Sequence, residues 1–549
     1  MKKRIFIVND SSFIASGYGV YGKELLTRLH NSGKYEVAEL GCYADVSKEE
    51  IKSIPWKFYP NGVKTEDERF KQYKANGANQ FGAWRFTRAI LDFKPHIVFD
   101  VRDYWMSAYQ EANPYRRHFH WVLMPTVDSA PQRNDWYYTF ANADVVVPYT
   151  EWAKQTLIAG GGNKLNIFPK IANAGINPAE FYPVENKKEH KIKYFGKDID
   201  VVGLVMRNQK RKLIPDIFIA FKKYLELIKN TDKYDKTYLY LHTSYPEENG
   251  WDLPSLLLEY GLMDKTYFTY TCRNCHKYYP SKFNGSINTC KHCNTNNSAC
   301  FASVANSVST ESLNNIYNLF DVYIQYAICE GFGMPQVEAA ACGLQIASVD
   351  YSAMTEIVEN VNGVKIPVKR FFRELETNAD RAYPDNDFTA NFLYKHFNET
   401  SEETKLQNSK IIREKCLSTY TWDSVYSVWD ECFDMLDINR KVPWDSKTQF
   451  ITNHDKMTVP GNLNPKEFVE YICSNVINEP YLINTAGIQQ IIKDLNSKLV
   501  ARGGTIKSFT FKDAVSLLEQ HLNNKVMSEQ MRHNEDKLQK EDYLECQKR

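Results

Sequence analysis

The sequence predicts an α/β protein: two Rossmann-like domains in tandem, a small cysteine-paired insertion in the second, and a helical C-terminal extension. Three observations predict it. At 549 residues the chain exceeds what one hydrophobic core serves, so two or three domains are expected. Short continuous apolar runs recur between helix-compatible segments, which is the pattern of parallel strands buried on both faces. The alternating series runs twice, and a stretch punctuated by Gly and Pro separates the two runs.

The elements follow in order. Ile5 to Val8 reads as the first strand. Ser16-Gly17-Tyr18-Gly19-Val20-Tyr21-Gly22 reads as a Gly-rich turn and Lys23 to Leu29 as the helix after it. Val37 to Leu40, Ile97 to Val101, Trp121 to Met124 and Val145 to Val147 are further strands, with Ala83 to Phe93 among the intervening helices. Asn173-Ala174-Gly175-Ile176-Asn177-Pro178 and Phe181-Tyr182-Pro183 form a linker, which closes a first domain at residues 1–178. A polar, Lys-rich stretch from Glu185 to Lys197 precedes the second series. That series reads strand Val201 to Val205, helix Ile217 to Ile228, strands Tyr238 to Leu241 and Tyr267 to Tyr270, and helix Leu313 to Phe320. It continues with strand Val322 to Tyr326, helix Gln336 to Gly343 and strand Ile346 to Val349. Thr421-Trp422-Asp423 opens a helix to about Leu436, which closes a second domain at 179–436. Two such series fit two facing domains with a ligand in the cleft between them.

Residues 440–549 fall outside that pattern. Pro465 to Val476, Gly487 to Leu499 and Phe511 to Leu522 read as helices, with Asn464 and Thr485 as start caps and Pro465 at a first helical position. Lys525 to Arg549 is highly charged and reads as a solvated helix or tail. Oligomerisation or partner binding is the expected role of this extension.

The composition is that of a soluble globular protein, 43% hydrophobic and 25% charged. A net charge of +1, from 68 basic and 67 acidic residues, excludes a strongly basic protein that coats nucleic acid. The apolar run near the N-terminus is too short for a signal-peptide core, and no run approaches the roughly 20 residues that cross a bilayer. A cytoplasmic, non-transmembrane protein is expected. Twelve cysteines are present, mostly scattered, so a disulfide framework is not expected. Four of them form two C-x-x-C knuckles, Cys272-Arg273-Asn274-Cys275 and Cys290-Lys291-His292-Cys293. That spacing is a zinc-ribbon signal. Four thiolates complete a tetrahedral site with no open position, so a structural Zn2+ is expected in an insertion at 271–300. His292 and Cys300 are not expected to be ligands, and the ribbon's basic bias (Lys277, Lys282, Lys291) is modest.

The most informative stretch is Glu330-Gly331-Phe332-Gly333-Met334-Pro335-Gln336-Val337-Glu338. It places a carboxylate at a strand end, a Gly turn, and a second carboxylate about one turn into a helix. Free N–H groups at the helix start can meet a phosphate, and Pro335 suits a first-turn position. A nucleotide-sugar needs such a set: donors for its diphosphate, one carboxylate for sugar hydroxyls and one for ribose hydroxyls. The alternative is an ordinary βα turn. Gly17, Gly19 and Gly22 let backbone approach a ligand closely. Their G-x-G-x-x-G spacing also occurs in dinucleotide oxidoreductases, and Glu36 and Glu39 leave that alternative open.

The Glu330 to Glu338 stretch resembles the E-x7-E motif of the retaining GT-B glycosyltransferases, the glycogen-synthase-like family four. The resemblance covers about residues 1–436 without the ribbon. It implies that Glu330 contacts a donor-sugar hydroxyl, that Glu338 binds ribose, and that backbone near Gly331, Phe332, Gly333 and Met334 meets sugar or phosphate. It implies that Arg207 and Lys212, in Met206-Arg207-Asn208-Gln209-Lys210-Arg211-Lys212, grip the donor diphosphate in place of a catalytic metal. Fixed cations there lower the cost of the departing charge. A solvated basic turn is the alternative, and Lys210 and Arg211 compete with Lys212 for the role. Asp198-Ile199-Asp200 matches the D-x-D motif of metal-dependent enzymes but precedes its strand, so it is discounted. Gly17 and Gly19 match the family's phosphate-approaching loop. Asp128, after strand Trp121 to Met124, stands where many relatives have a His. It is expected either to act on the acceptor side or to cap a helix. Asp103 and His120 are weaker candidates.

The activity implied is transfer of a sugar from a UDP- or GDP-sugar to an acceptor hydroxyl, with retention and no catalytic metal. The acceptor is left open among glycan, protein, small molecule and modified nucleic acid. The alternatives are transfer to modified DNA bases, a nucleotide-sugar epimerase on the same scaffold, and a silent binding module.

Overall fold

A computed structural model describes residues 2–113, 115–444 and Glu467. Glu467 apart, the helices expected over 465–522 and the charged segment after them lie outside the described residues. The chain forms two compact units. Of the described residues, 2–37, 97–108 and 121–436 make the first, and 38–96, 109–113, 115–120 and 437–444 make the second.

The first unit holds two parallel α/β series. In one, strand Lys3–Asp10 pairs in parallel with Ile97–Arg102, setting Ile5 beside Ile97 and Ile7 beside Phe99. Strand His120–Pro125 pairs in parallel with Val145–Val146. These strands are buried on both faces, as their unbroken apolar runs require.

The other series builds a sheet in the order Ala299–Phe301, Thr266–Cys272, Thr237–His242, Asp200–Val205, Val322–Gln325, Gln345–Val349, Val364–Ile366. From Thr266–Cys272 onward the neighbours are parallel. Helix Ile214–Ile228 covers this sheet. Its Ile217, Phe218, Phe221 and Leu225 join Val202, Leu239 and Leu241 in one core. The C-terminal ends of these strands carry the segments from Arg207, Thr243, Arg273 and Tyr326, the edge where open α/β sheets bind ligands.

Helix Trp422–Asp434, capped by Thr421, returns to the first series. Trp429 Nε1 donates to Tyr21 OH at 2.7 Å, and Lys3 Nζ donates to the Phe433 carbonyl at 2.7 Å. In the second unit, Lys57–Pro60 pairs in parallel with Ala38 to Gly41, and Trp56 Nε1 donates to buried Glu39 at 2.8 Å.

Three features differ from the sequence expectation. The Gly-rich segment is the first turns of a helix, Gly17–Asn31, and not a separate turn. Ser16 caps it by accepting the Gly19 N–H at 3.1 Å while donating to Asp10 at 2.6 Å. The ribbon is continuous with the second sheet. Strand Tyr278–Lys282 pairs with Thr266–Cys272, and Cys272, Cys290 and Phe301 join that sheet's core. An antiparallel hairpin, Val368–Arg373 with Asp380–Pro384, follows Val364–Ile366. Neither strand alternates apolar with polar residues, and the first is exposed with three basic residues, so neither carries a strand signal.

Candidate active site

Strand Val322–Gln325 ends just before Ile328-Cys329-Glu330, and helix Met334–Ala341 begins four residues after Glu330. Gly333 makes the turn at φ 95°, in the left-handed region that glycine tolerates. Gly331 is confined for another reason: a Cβ there would stand 2.2 Å from Thr126 Cγ2. Phe332 stacks on Tyr149 with ring centroids 5.1 Å apart. The turn is therefore wedged between the two series of the first unit. The helix's first N–H groups have no intrahelical acceptor.

Glu330 is 5% exposed. Its Oε1 accepts from Lys212 Nζ and from Gln325 Nε2 at 3.0 Å, and its Oε2 accepts from Arg211 Nη1 at 2.9 Å. Burial alone would raise its pKa, but the charges of Arg211 and Lys212 outweigh burial and hold it at about 2. Burial and the Arg211 charge lower Lys212, against the pull of Glu330. Ser352 holds the Glu330 backbone. Its Oγ accepts the Glu330 N–H at 3.0 Å, with Ser352 itself at φ 56°, a strained conformation for a residue with a Cβ.

The basic segment divides between two sites. Lys210–Lys212 is a single 3-10 turn, and Leu213 at φ 49° redirects the chain into helix Ile214–Ile228. This turn brings both Arg211 and Lys212 to Glu330. Arg207 points elsewhere: it is exposed, and its Nε donates to Glu247 Oε1 at 2.9 Å. Asn208 is fully buried and locks that arm by exchanging two 2.9 Å hydrogen bonds with the Trp251 backbone.

Glu338 accepts from Tyr317 OH at 2.6 Å. Burial, opposed only by that hydrogen bond and reinforced by Glu180, pushes it up to about 7. Gly17 faces the same turn, since a Cβ on it would lie 3.9 Å from Met334 Sδ. Gly19 and Gly22 do not. Their Cβ positions would meet the Ile14 carbonyl at 2.3 Å and Asn9 Nδ2 at 2.8 Å, so both are required by packing.

Asp128 caps no helix. Its Oδ1 accepts from Ser129 Oγ at 2.8 Å and from Arg381 Nη1 at 3.2 Å, and its Oδ2 accepts from the Cys329 thiol at 3.1 Å. It thus stands beside the residue preceding Glu330. Asp103 lies close by, pushed up to about 7 by burial and then by the Asp128 charge. His120 belongs to the second unit, its Nε2 2.9 Å from the Asp437 carbonyl oxygen. Asp198 and Asp200 lie at the opposite, amino end of strand Asp200–Val205.

Sequence reasoning missed Gln325, Ser352 and Arg381 as members of this cluster, and it offered Arg211 only as a competitor of Lys212. Arg211 was visible as a neighbour of Lys212. The others carry no local signal.

The four knuckle cysteines form a second site. Their sulfurs all lie within 4.8 Å of one another, with Cys272–Cys293 and Cys275–Cys290 at 3.7 Å. A tetrahedral site with Zn–S of about 2.3 Å has sulfurs about 3.8 Å apart, so the set fits zinc. The N–H groups of Asn274 and Cys275 point at Cys272 Sγ at 3.3 and 3.4 Å, and the His292 N–H points at Cys290 Sγ at 3.3 Å. The His292 ring lies against the Tyr278 carbonyl instead, and Cys300 accepts from Asn306.

A model of the glycosyl transferases group 1 family matches residues 290–381, the stretch that contains Glu330, Glu338 and Arg381. No curated protein matches the sequence. Among solved structures, sucrose-phosphate synthase from Thermosynechococcus elongatus superposes with a TM-score of 0.57 at 16% identity, over 79% of this chain and 98% of that one. HepE from Anabaena, in complex with UDP and glucose, superposes with a TM-score of 0.55 at 12% identity, over 79% of this chain and 100% of that one. A glycosyltransferase from Rickettsia africae gives 0.53 at 12% identity, over 79% of this chain and 98% of that one. The chain therefore has the two-domain α/β fold of these structures and carries, at the strand ends of its second sheet, a segment that matches the glycosyl transferases group 1 model.

Proposed function

We propose that this protein moves a hexose from a nucleotide-diphosphate-sugar to an acceptor hydroxyl, with retention and without a catalytic metal. The observation that carries the reading is the buried, ionised Glu330 held between Arg211 and Lys212 at a strand end. In this reading Lys212 and Arg211 take the donor's diphosphate, which leaves with added negative charge, and Arg207 approaches from its Glu247 mooring. Preorganised cations in a water-poor site favour that departure without reorganisation. Glu330 orients the sugar ring through its hydroxyls, and Glu338 binds ribose. Gly17 allows the first series to approach the phosphates, and the backbone of Gly331, Phe332, Gly333 and Met334 lines the sugar and phosphate. Gly19 supports that helix start by packing. Asp128 stands on the acceptor side. The division into an acceptor domain at 1–178 and a donor domain at 179–436 belongs to the same proposal.

A UDP-sugar is the first donor to try, since HepE was solved with UDP, glucose and UDP-glucose. A GDP-sugar is the second. Cys272, Cys275, Cys290 and Cys293 would hold a Zn2+ whose chemistry is structural, tying together the two knuckles that extend the second sheet. Among the described residues no helix is long and apolar enough to cross a membrane.

The test is a panel of nucleotide-sugars scored by thermal shift, followed by product analysis in a host extract with the anomeric configuration read by NMR. A donor that stabilises the protein and yields an α-linked product from an α-linked donor supports the proposal. Epimerised donor with no transfer product, or no stabilising donor in the panel, refutes it.

A further inference from the structure

The hairpin Val368–Arg373 and Asp380–Pro384 carries Arg381, which is 5% exposed. Its Nη1 donates to Asp128 Oδ1 at 3.2 Å and to Cys329 Sγ at 2.6 Å. On its other side, Nε and Nη2 donate to Glu374 Oε2 at 2.9 and 2.6 Å, and Nη2 reaches Thr377 Oγ1 at 3.3 Å. One guanidinium therefore joins three segments that are remote in sequence: the hairpin, the loop after strand His120–Pro125, and the residue before Glu330.

Backbone contacts run along the same two seams. The Ala382 N–H donates to the Ile328 carbonyl at 3.0 Å and the Asp380 N–H to the Ala130 carbonyl at 2.9 Å. Tyr351 OH accepts the Ala130 N–H at 3.2 Å and donates to the Asp380 carbonyl at 2.6 Å. The hairpin is thus tied both to the segment that delivers Glu330 and to the segment that delivers Asp128. A buried guanidinium needs acceptors on both arms of its fork, and Asp128 and Glu374 supply them. A lysine at 381 would offer one compact charge and could not span both carboxylates.

We propose that Arg381 is a positioning residue for glycosyl transfer: through Asp128 and Cys329 it sets the spacing between the acceptor-side carboxylate and Glu330. The direction of the kinetic effect rests on the donor-site reading above. The physical coupling of Arg381 to Asp128 does not.

The experiment uses full-length Arg381→Lys, Arg381→Met, Asp128→Asn and the double variant Arg381→Met/Asp128→Asn, with UDP-glucose as the probe. UDP binding is measured by calorimetry and hydrolysis of UDP-glucose by release of glucose. The expected result for Arg381→Lys is UDP affinity within about twofold of wild type and a kcat lower by about tenfold or more. The double variant should turn over no more slowly than Asp128→Asn, because Arg381 acts through that carboxylate. A purely structural staple predicts a lower melting temperature with kcat unchanged per folded molecule, and that result overturns the proposal. So do kcat losses that multiply in the double variant. If wild type neither binds UDP nor hydrolyses UDP-glucose, the donor reading fails in its first form, and the melting temperatures of the same four proteins decide the coupling. Non-additive losses support the Arg381–Asp128 link, and additive losses overturn it.

Discussion

Glu330 and Glu338 belong to one motif and one turn, yet their surroundings drive them apart. Glu330 is held at about 2 because Arg211 and Lys212 outweigh its burial. Glu338 is pushed to about 7 because burial meets only a tyrosine hydroxyl and the like charge of Glu180. The motif sets where the two carboxylates stand. Residues from other segments set what each one is at neutral pH. Glu330 is an anion already matched to two cations, whereas Glu338 titrates within the working range. That contrast suits a fixed sugar anchor and an adjustable hydroxyl acceptor.

The largest break in the comparison should come from removing the anchor. Glu330→Ala is expected to lower turnover by about 100-fold or more, while Lys212 and Arg211 lose their fixed partner. Steady-state kinetics with the donor found in the panel would show it, and a rate near wild type would end the role assigned to Glu330.

The two glutamine variants should move stability in opposite directions at pH 8. The folded pKa of Glu330 is depressed, so its ionised form stabilises the fold above its unfolded pKa, and that contribution is lost only as pH falls through about 2. Glu330→Gln therefore loses the contribution and leaves buried Lys212 poorly compensated. The folded pKa of Glu338 is raised, so its charge opposes folding increasingly as pH climbs from its unfolded value through about 7. Glu338→Gln removes that penalty, a gain of about 1–3 kcal/mol at pH 8 that fades toward pH 4. Thermal unfolding of both variants across that range checks the signs. Shifts of the same sign would show that the contrast between the carboxylates is misread.

Donor affinity should report the same titration. If ionised Glu338 accepts from ribose hydroxyls, nucleoside-diphosphate affinity falls by severalfold from pH 8 to pH 6, and Glu338→Gln flattens the profile. Tyr317, Tyr323, Glu180 and Cys342 face this carboxylate, and none of them supplies a competing positive charge. A smaller effect is expected at the wedge. Gly331→Ala presses a Cβ onto Thr126, and Thr126→Ser, which removes the methyl carbon in question, should restore part of the lost melting temperature.

Much of this was legible in the sequence because its signals are local. The two C-x-x-C knuckles, the strand before Glu330 and the Gly333 turn are each contained in a few residues. The cation assignment was only half legible. Three consecutive basic residues offer no periodicity, and the 3-10 turn with left-handed Leu213 is what aims both Arg211 and Lys212 at Glu330. Arg207 went to Glu247, a partner 40 residues away. The Arg381 hairpin was illegible for a similar reason. Its first strand is exposed and rich in basic residues, its second is too short to show a period, and its buried cation has partners, Asp128 and Cys329, that lie far away in the chain.

The most direct measurement is calorimetric binding of UDP and GDP to wild type, Lys212→Met and Asp198→Asn at pH 8. If Lys212 and its neighbours receive the donor's phosphates, one of the two nucleotides binds wild type, Asp198→Asn binds it equally well, and Lys212→Met loses at least about tenfold in affinity. Unchanged affinity in Lys212→Met would contradict the account at its centre.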